Sequence, residues 1–186
     1  HVGGVELYTR ALALAQQQAG HHVRVFSPRT GSGTHLEHET LDGLQVTFAV
    51  SSAPGPAQRF LAAFSHRFLA TSLAQVVAEV EPEVVHVHNL QGLPVAALAR
   101  AIAGTPAVAT LHDFGWVCAN SQLLTNHSRQ VCDGPRWWLN CGQCGLARAG
   151  AGYARPLAPL AAPVFAFRTA AIRRLAAHVA AWIAPT

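Results

Sequence analysis

The spacing of apolar residues along the chain alternates between two periods, and this alternation predicts a sheet of parallel strands. Short apolar runs that are typical of buried strands occupy residues 23–26, 46–50, 84–88, 107–111 and 182–184. Helical spacing marks the segments 4–19, 58–80, 94–103 and 157–180. Strands that alternate with helices predict an α/β domain with a Rossmann-like parallel sheet and helices on both of its faces.

Two long segments show neither period. Residues 29–44 are polar and contain glycine, which favours a loop with a turn at Asp42-Gly43. Residues 113–150 are predicted to form an irregular loop, and they hold all four cysteines. The chain opens on His1-Val2-Gly3-Gly4, where a doubly wound sheet has the turn that follows its first strand. We therefore expect that this first strand is missing and that the chain is a fragment.

Composition narrows the class of protein. With 186 residues, of which 51% are hydrophobic and 12% charged, the chain is long enough for one domain with its own core. No apolar run reaches the roughly 18 residues that indicate a membrane span. The chain contains no lysine, which excludes a P-loop lysine and a Schiff-base lysine within these residues.

Charge is distributed unevenly. Residues 1–90 carry seven acids and five arginines, whereas residues 91–186 carry two acids and eight arginines. A basic second half indicates either a surface for phosphates, anionic lipid or nucleic acid, or simply a solvated arginine-rich helix. The helix at 157–180 likewise has two interpretations. It could rest on an anionic membrane, or it could pack within the domain and expose its charged face to solvent. Its relevant side chains are Phe165, Phe167, Arg168, Ile172, Arg173, Arg174 and Leu175.

The pair Gly3-Gly4 precedes a predicted helix N-terminus. Glycine lets a backbone approach a phosphate closely, and the helix end supplies free N–H groups and a positive dipole. The alternative is an ordinary tight turn. The full Gly-x-Gly-x-x-Gly fingerprint is absent, so we do not expect NAD as a cofactor. Glu6 lies in the first helical turn, where it could contact a substrate or merely suit the dipole.

Polar residues follow two predicted strands, at the sheet edge where open α/β sheets bind ligands. His112 ends the fourth apolar run and is followed by Asp113, which could orient the imidazole or cap the next turn. His86 and His88 alternate along one strand and should therefore point the same way. We interpret His88 and Asn89 as candidates for a substrate-binding site and not as metal ligands.

The four cysteines have the spacing Cys-x13-Cys-x8-Cys-x2-Cys, at Cys118, Cys132, Cys141 and Cys144. Thiolates grouped in one loop suit tetrahedral zinc, and a closed site with four cysteines would be structural because no ligand position remains for water. The first two cysteines do not form a Cys-x2-Cys pair, so an iron–sulfur cluster, disulfides and free thiols remain alternatives. We expect a structural zinc ion that folds this loop.

Four motifs, in order, give the chain a resemblance to a known family. They are Gly3-Gly4-Val5-Glu6-Leu7-Tyr8 with Ala19-Gly20-His21-His22-Val23, then Pro82-Glu83-Val84-Val85-His86-Val87-His88-Asn89, then Val108-Ala109-Thr110-Leu111-His112-Asp113, and finally Trp182-Ile183-Ala184-Pro185-Thr186. The series resembles the N-terminal domain of family 4 glycosyltransferases, some of which carry a similar cysteine-bearing insertion after the His-Asp pair. The resemblance spans nearly the whole chain.

The resemblance implies a retaining GT-B enzyme with two domains, of which residues 1–186 would be the acceptor-side N-terminal domain. The C-terminal donor domain would be absent, and the fragment would be inactive alone. A hexosyl group would pass from a nucleotide-sugar to a glycan, a lipid-linked acceptor or a small molecule, as in the synthesis of cell-envelope polysaccharides. The resemblance places His112 close to the transferred sugar and the donor diphosphate near Gly3 and Gly4. In such an enzyme, His88, Asn89 and Glu6 are candidates for binding the acceptor, and the cysteine loop would shape the acceptor pocket.

We expect a cytoplasmic enzyme, with a peripheral contact to the inner face of the membrane if the acceptor is lipid-linked. The competing interpretation is a non-catalytic, zinc-containing module that binds carbohydrate or nucleic acid. The α/β alternation ahead of the cysteines, and the scarcity of arginine among them, disfavour nucleic acid as a partner.

Overall fold

A computed structural model of the protein describes residues 3–52, residue 61 and residues 64–184. The described helices are α1 (Gly4–Gln18), α2 (Arg67–Val80), α3 (Val95–Ala101), α4 (Leu139–Arg148) and α5 (Ala158–Ala176), the last preceded by a 3₁₀ helix (Gly152–Leu157). The strands are β1 (Arg24–Thr30), β2 (Thr34–Leu41), β3 (Leu44–Ser51), β4 (Val85–Val87), β5 (Ala107–Thr110) and β6 (Val179–Ile183). The predicted α/β class is confirmed.

The described strands form two three-stranded sheets. In the first, the order is β1-β3-β2, with β1 parallel to β3 and β2 antiparallel to it. In the second, the order is β4-β5-β6 and all strands are parallel. The second sheet therefore has the parallel arrangement that the sequence predicts, whereas the first carries an antiparallel edge strand.

Helix boundaries follow local sequence signals. Helix α1 ends before Gly20, which has a φ of 91° that favours glycine. Helix α2 begins at a His66 cap, whose Nδ1 accepts a hydrogen bond from the Leu69 N–H at 3.3 Å. It ends at Glu81, directly before Pro82, as predicted. The first part of the predicted helix 58–80 lies mostly outside the described residues.

A single larger core joins α2, α3 and α5 to the second sheet. Ile102 and Leu175 are completely buried there, beside Leu98 and Val87. Phe26 of β1 packs against the same core, so the first sheet adjoins it. A smaller core, formed by Ala13, Leu44 and Val46, holds α1 against β3. The carboxyl ends of β4 and β5 lie next to α1.

Two predictions of irregular structure are wrong. The polar segment 29–44 contains β2 and the end of β1, because an edge strand can expose polar side chains on both faces. Arg29 holds the two strands together by donating to both Glu37 and Glu39. The segment 113–150 was predicted to be irregular throughout. Its last third forms α4, which carries Cys141 and Cys144.

Helix α5 packs within the domain, which is one of the two interpretations that its sequence allows. Phe165, Ile172 and Leu175 are buried in the domain. Arg168 is half-buried, and its Nη2 donates to the Gly115 carbonyl at 2.8 Å. The exposed apolar side chains are instead Leu157, Leu160, Val164 and Phe167, spaced by three or four residues along one face. Within the described parts of the chain, no helix has the length and apolar character needed to cross a membrane.

Candidate active site

Two adjacent parallel strands bring three of the histidines together. Strands β4 and β5 pair in a register that sets His86 opposite Val108 and Val87 opposite Ala109. Their carboxyl ends therefore lie side by side. His88 directly follows β4, and His112 lies two residues beyond the end of β5.

His88 and His112 form a hydrogen-bonded pair. Nδ1 of His88 lies 3.2 Å from Nε2 of His112. The two rings are nearly parallel, with an angle of 26° between their planes and 5.5 Å between their centroids. Both side chains are half-buried, so a ligand can still reach them.

His86 extends this pair into a stack of three rings. Its ring lies on that of His88 with centroids 4.0 Å apart, so the two side chains face the same way as predicted. Nε2 of His86 lies 2.7 Å from the hydroxyl of Thr110, which is fully buried. Burial lowers the pKa of both histidines, and the proximity of other histidines adds to the effect. The pKa of His88 falls to about 4, so its ring is neutral at neutral pH.

Helix α1 supplies an aromatic side chain that the sequence analysis did not select. The ring edge of Tyr8 meets the ring of His112 at a centroid distance of 5.0 Å, and the ring of His88 lies 6.0 Å away. Tyr8 lies four residues, or about one helical turn, after Gly4. This spacing predicts from the sequence that the two residues share one face of the helix. The cluster of His86, His88, His112 and Tyr8 is called the histidine cluster below.

The polar residues beside the histidines shape the two loops. Oδ1 of Asp113 accepts a hydrogen bond from the Gly115 N–H at 2.7 Å. Oδ1 of Asn89 accepts one from the Gln91 N–H at 2.7 Å. Both carboxyl-end loops are thus held by a side chain that bonds the backbone two residues further on.

Gly3 and Gly4 lie at the start of α1. Gly3 is the N-cap, with an extended backbone and no side-chain cap, and Gly4 is the first helical residue. A Cβ added at Gly3 would lie 2.7 Å from Oε2 of Glu6, whereas one added at Gly4 would meet nothing within 4 Å. The Glu6 carboxylate therefore lies over the helix end, and an anion could reach Gly3 only if this exposed side chain turned away.

The four cysteines gather around one cavity of about 40 Å³. Cys118 lies in the turn after Phe114, and Cys132 follows a short antiparallel bridge between Leu124 and Val131. Cys141 and Cys144 lie on α4. All four are free thiols. Burial raises the pKa of Cys141 to about 11, and the neighbouring cysteines raise it further in the same direction.

Amide groups approach two of these sulfur atoms, and the Arg168 guanidinium interacts electrostatically with two of the cysteines. Asn126 donates to Sγ of Cys144 from its backbone N–H and from its side-chain amide, both at 3.3 Å. The side-chain amide of Asn140 approaches Sγ of Cys132 at 3.6 Å. Burial lowers the pKa of Arg168, while Cys118, Asp113 and Cys141 act in the opposite direction because their negative charge would favour the guanidinium.

The cysteines do not yet form a coordination sphere. Across residues 3–52, 61 and 64–184, no group of three or more His, Cys, Asp or Glu side chains could hold a metal ion in the present arrangement. A metal ion could bind here only after these side chains rearranged. The amide groups of Asn126 and Asn140 would stabilise the thiolate form of Cys144 and Cys132. The thiolate is the form in which cysteine binds a metal.

Comparison with known protein families decides the class of the domain. The family model described as Glycosyltransferase Family 4 matches residues 2–186, nearly the whole chain. The chain belongs to glycosyltransferase family 4. Glycosyl transfer is accordingly its general activity, with a sugar donor and an acceptor as its substrates in general terms. No curated protein and no solved structure matches the chain.

In this family 4 domain, the histidine cluster lies beyond the carboxyl ends of two parallel strands, which is the edge where open α/β sheets bind ligands. The cysteine cavity is joined to it through the loop that follows His112. Arg168 bonds the carbonyl of Gly115, whose N–H is held by Asp113. One short run of chain therefore connects the histidines to the cysteines.

Proposed function

We propose that this domain binds the acceptor in a retaining GT-B glycosyltransferase, and that sugar transfer takes place at the histidine cluster. The observation that carries the proposal is the hydrogen-bonded pair of His88 and His112, which lies beyond two parallel strands and against Tyr8 of α1. A site of this kind offers ring nitrogens for sugar hydroxyls and an aromatic surface for a sugar ring.

In the proposed reaction, a hexosyl group leaves a nucleotide-sugar. The bond between its anomeric carbon and the diphosphate breaks, and a bond to an acceptor hydroxyl oxygen forms on the same face. The hydroxyl proton must be taken up as that bond forms. His112 is the candidate for this role, or for binding a hydroxyl of the transferred sugar, since its Nδ1 has no hydrogen-bond partner within the described parts of the chain. Asp113 holds its loop in place.

The remaining site residues have proposed roles in binding. Gly3 and Gly4 would receive the donor diphosphate at the start of α1, where free N–H groups and the helix dipole favour negative charge. Glu6 would turn away from this position and contact the acceptor or the donor. His88 and Asn89 border the acceptor side. Residues 1–186 would supply the acceptor half of the enzyme, and the nucleotide would be held mainly by a separate donor domain of the full-length protein.

We also propose that the four cysteines bind a structural zinc ion. Four thiols around one small cavity, two amide groups directed at sulfur and a half-buried guanidinium nearby support this proposal. Cys118, Cys132, Cys141 and Cys144 would hold the ion, and the ion would supply a cross-link between Cys118, Cys132 and α4 that holds the loop after His112. Metal analysis of the full-length protein purified under reducing conditions tests this. One zinc per chain supports it, whereas iron or no metal contradicts it.

The acceptor that we propose is a lipid-linked precursor of a cell-envelope polysaccharide, used by a cytoplasmic enzyme at the inner face of the membrane. Leu157, Leu160, Val164 and Phe167 form an exposed apolar face, and Arg155 lies exposed near its start. Such a surface suits anionic lipid. Retention on phosphatidylglycerol vesicles at low salt should fall when Leu160 and Phe167 are both replaced by Ser. Equal retention of this variant would contradict the contact.

The experiment that tests the proposed function is transfer by the full-length protein across a panel of nucleotide-sugars, with lipid-linked and free acceptors. We expect one donor to be used, and the product to show the anomeric configuration of the donor by proton NMR. An inverted product would contradict the retaining mechanism. No turnover with any donor would instead favour a non-catalytic carbohydrate-binding module on the same fold.

A further inference from the structure

The hydrogen bond between His88 and His112 constrains the chemistry of both rings. A bond between two imidazole nitrogens, here 3.2 Å apart, requires that one of them carries a proton and the other a free lone pair. Each neutral ring has only one N–H. The direction of this hydrogen bond therefore decides whether Nδ1 of His112 carries a proton. If His112 donates, Nδ1 has a free lone pair, and if His88 donates, Nδ1 is protonated.

Nε2 of His112 is the more favourable donor of the two. Neutral imidazole side chains in water prefer the tautomer that is protonated at Nε2, and donation from His112 lets both rings keep this form. The opposite direction would place both rings in the less favourable tautomer. His112 is then left with a lone pair on Nδ1, which has no hydrogen-bond partner among the residues that the structure describes.

His88 is well held for this task. Its ring stacks on that of His86, with the ring centroids 4.0 Å apart, and on its other side neighbours His112 at 5.5 Å. The ring of Tyr8 lies 6.0 Å away and is tilted against it. His86 is itself fixed by the buried hydroxyl of Thr110. Burial keeps the pKa of His88 near 4, so the ring stays neutral and able to accept. The position of His112 is thus determined by a rigid neighbour.

We propose that His88 is a positioning residue, whose Nδ1 accepts the Nε2–H of His112 and so directs the lone pair of His112 Nδ1 toward the substrate. When His112 takes a proton at Nδ1, its Nε2–H bond to His88 persists and stabilises the imidazolium ring. His88 then acts through His112. This inference rests on the proposed function, because it assigns His88 a role in sugar transfer at the same cluster.

The test compares two variants of the full-length protein. In His88→Asn, the side-chain amide stands where Nδ1 stood and its oxygen can still accept from His112. In His88→Leu, the shape is kept roughly but no acceptor remains. Protein labelled with ¹⁵N-histidine is examined by long-range proton–nitrogen NMR without substrate, with the His112 signal assigned from a His112→Gln sample. His22→Asn, on an exposed loop, is the matched control.

We expect the wild-type His112 ring to show a protonated Nε2 and an unprotonated Nδ1, with a slowly exchanging Nε2–H. His88→Leu should lose this slow exchange, His88→Asn should keep it, and the control should not change it. A wild-type His112 that is protonated at Nδ1, or an Nε2–H that is unaffected in His88→Leu, would overturn the proposal.

Kinetics complete the test. The kcat should fall roughly tenfold or more in His88→Leu and recover in His88→Asn, while the KM for the acceptor, which His88 borders, should change by a smaller factor than kcat. Equal loss in both variants, or a change in KM alone, would show that His88 contacts the acceptor directly and would overturn the positioning role. Because the NMR experiment needs no substrate, an intact tautomer in a protein without transfer activity would refute the proposed function and leave the hydrogen bond established.

Discussion

Asn126 gives two hydrogen bonds to one sulfur atom, Sγ of Cys144, each 3.3 Å long. Both bonds lower the pKa of Cys144, although burial outweighs them and raises it. Donors of this kind stabilise a thiolate, and a metal ion would remove the remaining cost of its negative charge. The side chain of Asn126 is therefore expected to contribute to metal affinity without touching the metal.

Replacing Asn126 with Ala should weaken zinc binding by the full-length protein about tenfold, since partners around metal ligands typically contribute tenfold to a hundredfold. The backbone N–H of residue 126 remains, which limits the loss. Competition with a chromophoric chelator measures the affinity. Gln122→Ala, on the same loop and exposed, serves as the control and should bind zinc like the wild type. Identical affinities for Asn126→Ala and the control would contradict the role of this amide.

Acid should destabilise the domain through His88. Its pKa is about 4 in the folded chain against 6.5 for the free side chain, so between these pH values the unfolded chain binds a proton that the folded chain excludes. The contribution of the neutral ring to stability is therefore complete above pH 6.5 and is lost as the pH falls toward 4. The pKa of His86 is also lowered, and its effect has the same sign.

Thermal unfolding between pH 7 and pH 5 measures this dependence. The melting temperature of the wild type should fall with pH, and the fall should be smaller in His88→Asn, which has no titrating ring at this position. His22→Asn removes an exposed histidine and should keep the wild-type slope. Parallel slopes in all three proteins would mean that His88 does not titrate differently on unfolding.

Gly142 lets α4 lie directly against α5. A Cβ at this position would stand 2.7 Å from the Ala158 carbonyl oxygen, and Gly142 is buried. Gly142→Ala should therefore destabilise the protein by about 1–3 kcal/mol, because the backbone of α5 must shift to make room. In Gly152→Ala the nearest atom to the new Cβ would be Ala147 Cα at 3.9 Å, so this control should have little effect. Chemical denaturation compares the two, and similar losses would contradict the close approach.

The repeated apolar spacings predicted most of the fold, because they record which faces are buried. Strands β3 and β5 and helices α1 and α5 agree with the sequence prediction to within a few residues. Strand β2 was missed, since Thr34–Leu41 pairs on one side only and its stability depends on β3 and on Arg29. Helix α4 was missed because its two cysteines and two glycines resemble a metal-binding loop, whereas in the structure Gly142 lets this segment pack closely against α5 as a helix.

The candidate site was predictable in part. Because side chains alternate along a strand, the sequence alone predicts that His86 and His88 point to the same side. The pairing of His88 with His112 was not predictable, because it depends on the register between strands whose residues are 24 positions apart in the chain. The place of Tyr8 in the cluster likewise depends on how α1 packs. The clustering of four cysteines around one cavity required the fold of the whole loop, which the spacing Cys-x13-Cys-x8-Cys-x2-Cys does not specify.

The most direct test of sugar transfer at the histidine cluster is the turnover of His112→Ala in the full-length protein, with the donor and acceptor that the wild type uses. His22→Ala, on the exposed loop between α1 and β1, is the control. We predict that kcat falls roughly a hundredfold or more in His112→Ala, in line with the loss of a group that moves a proton, while the control keeps wild-type turnover and both proteins remain folded. Wild-type turnover in His112→Ala would contradict the assignment of transfer to this cluster.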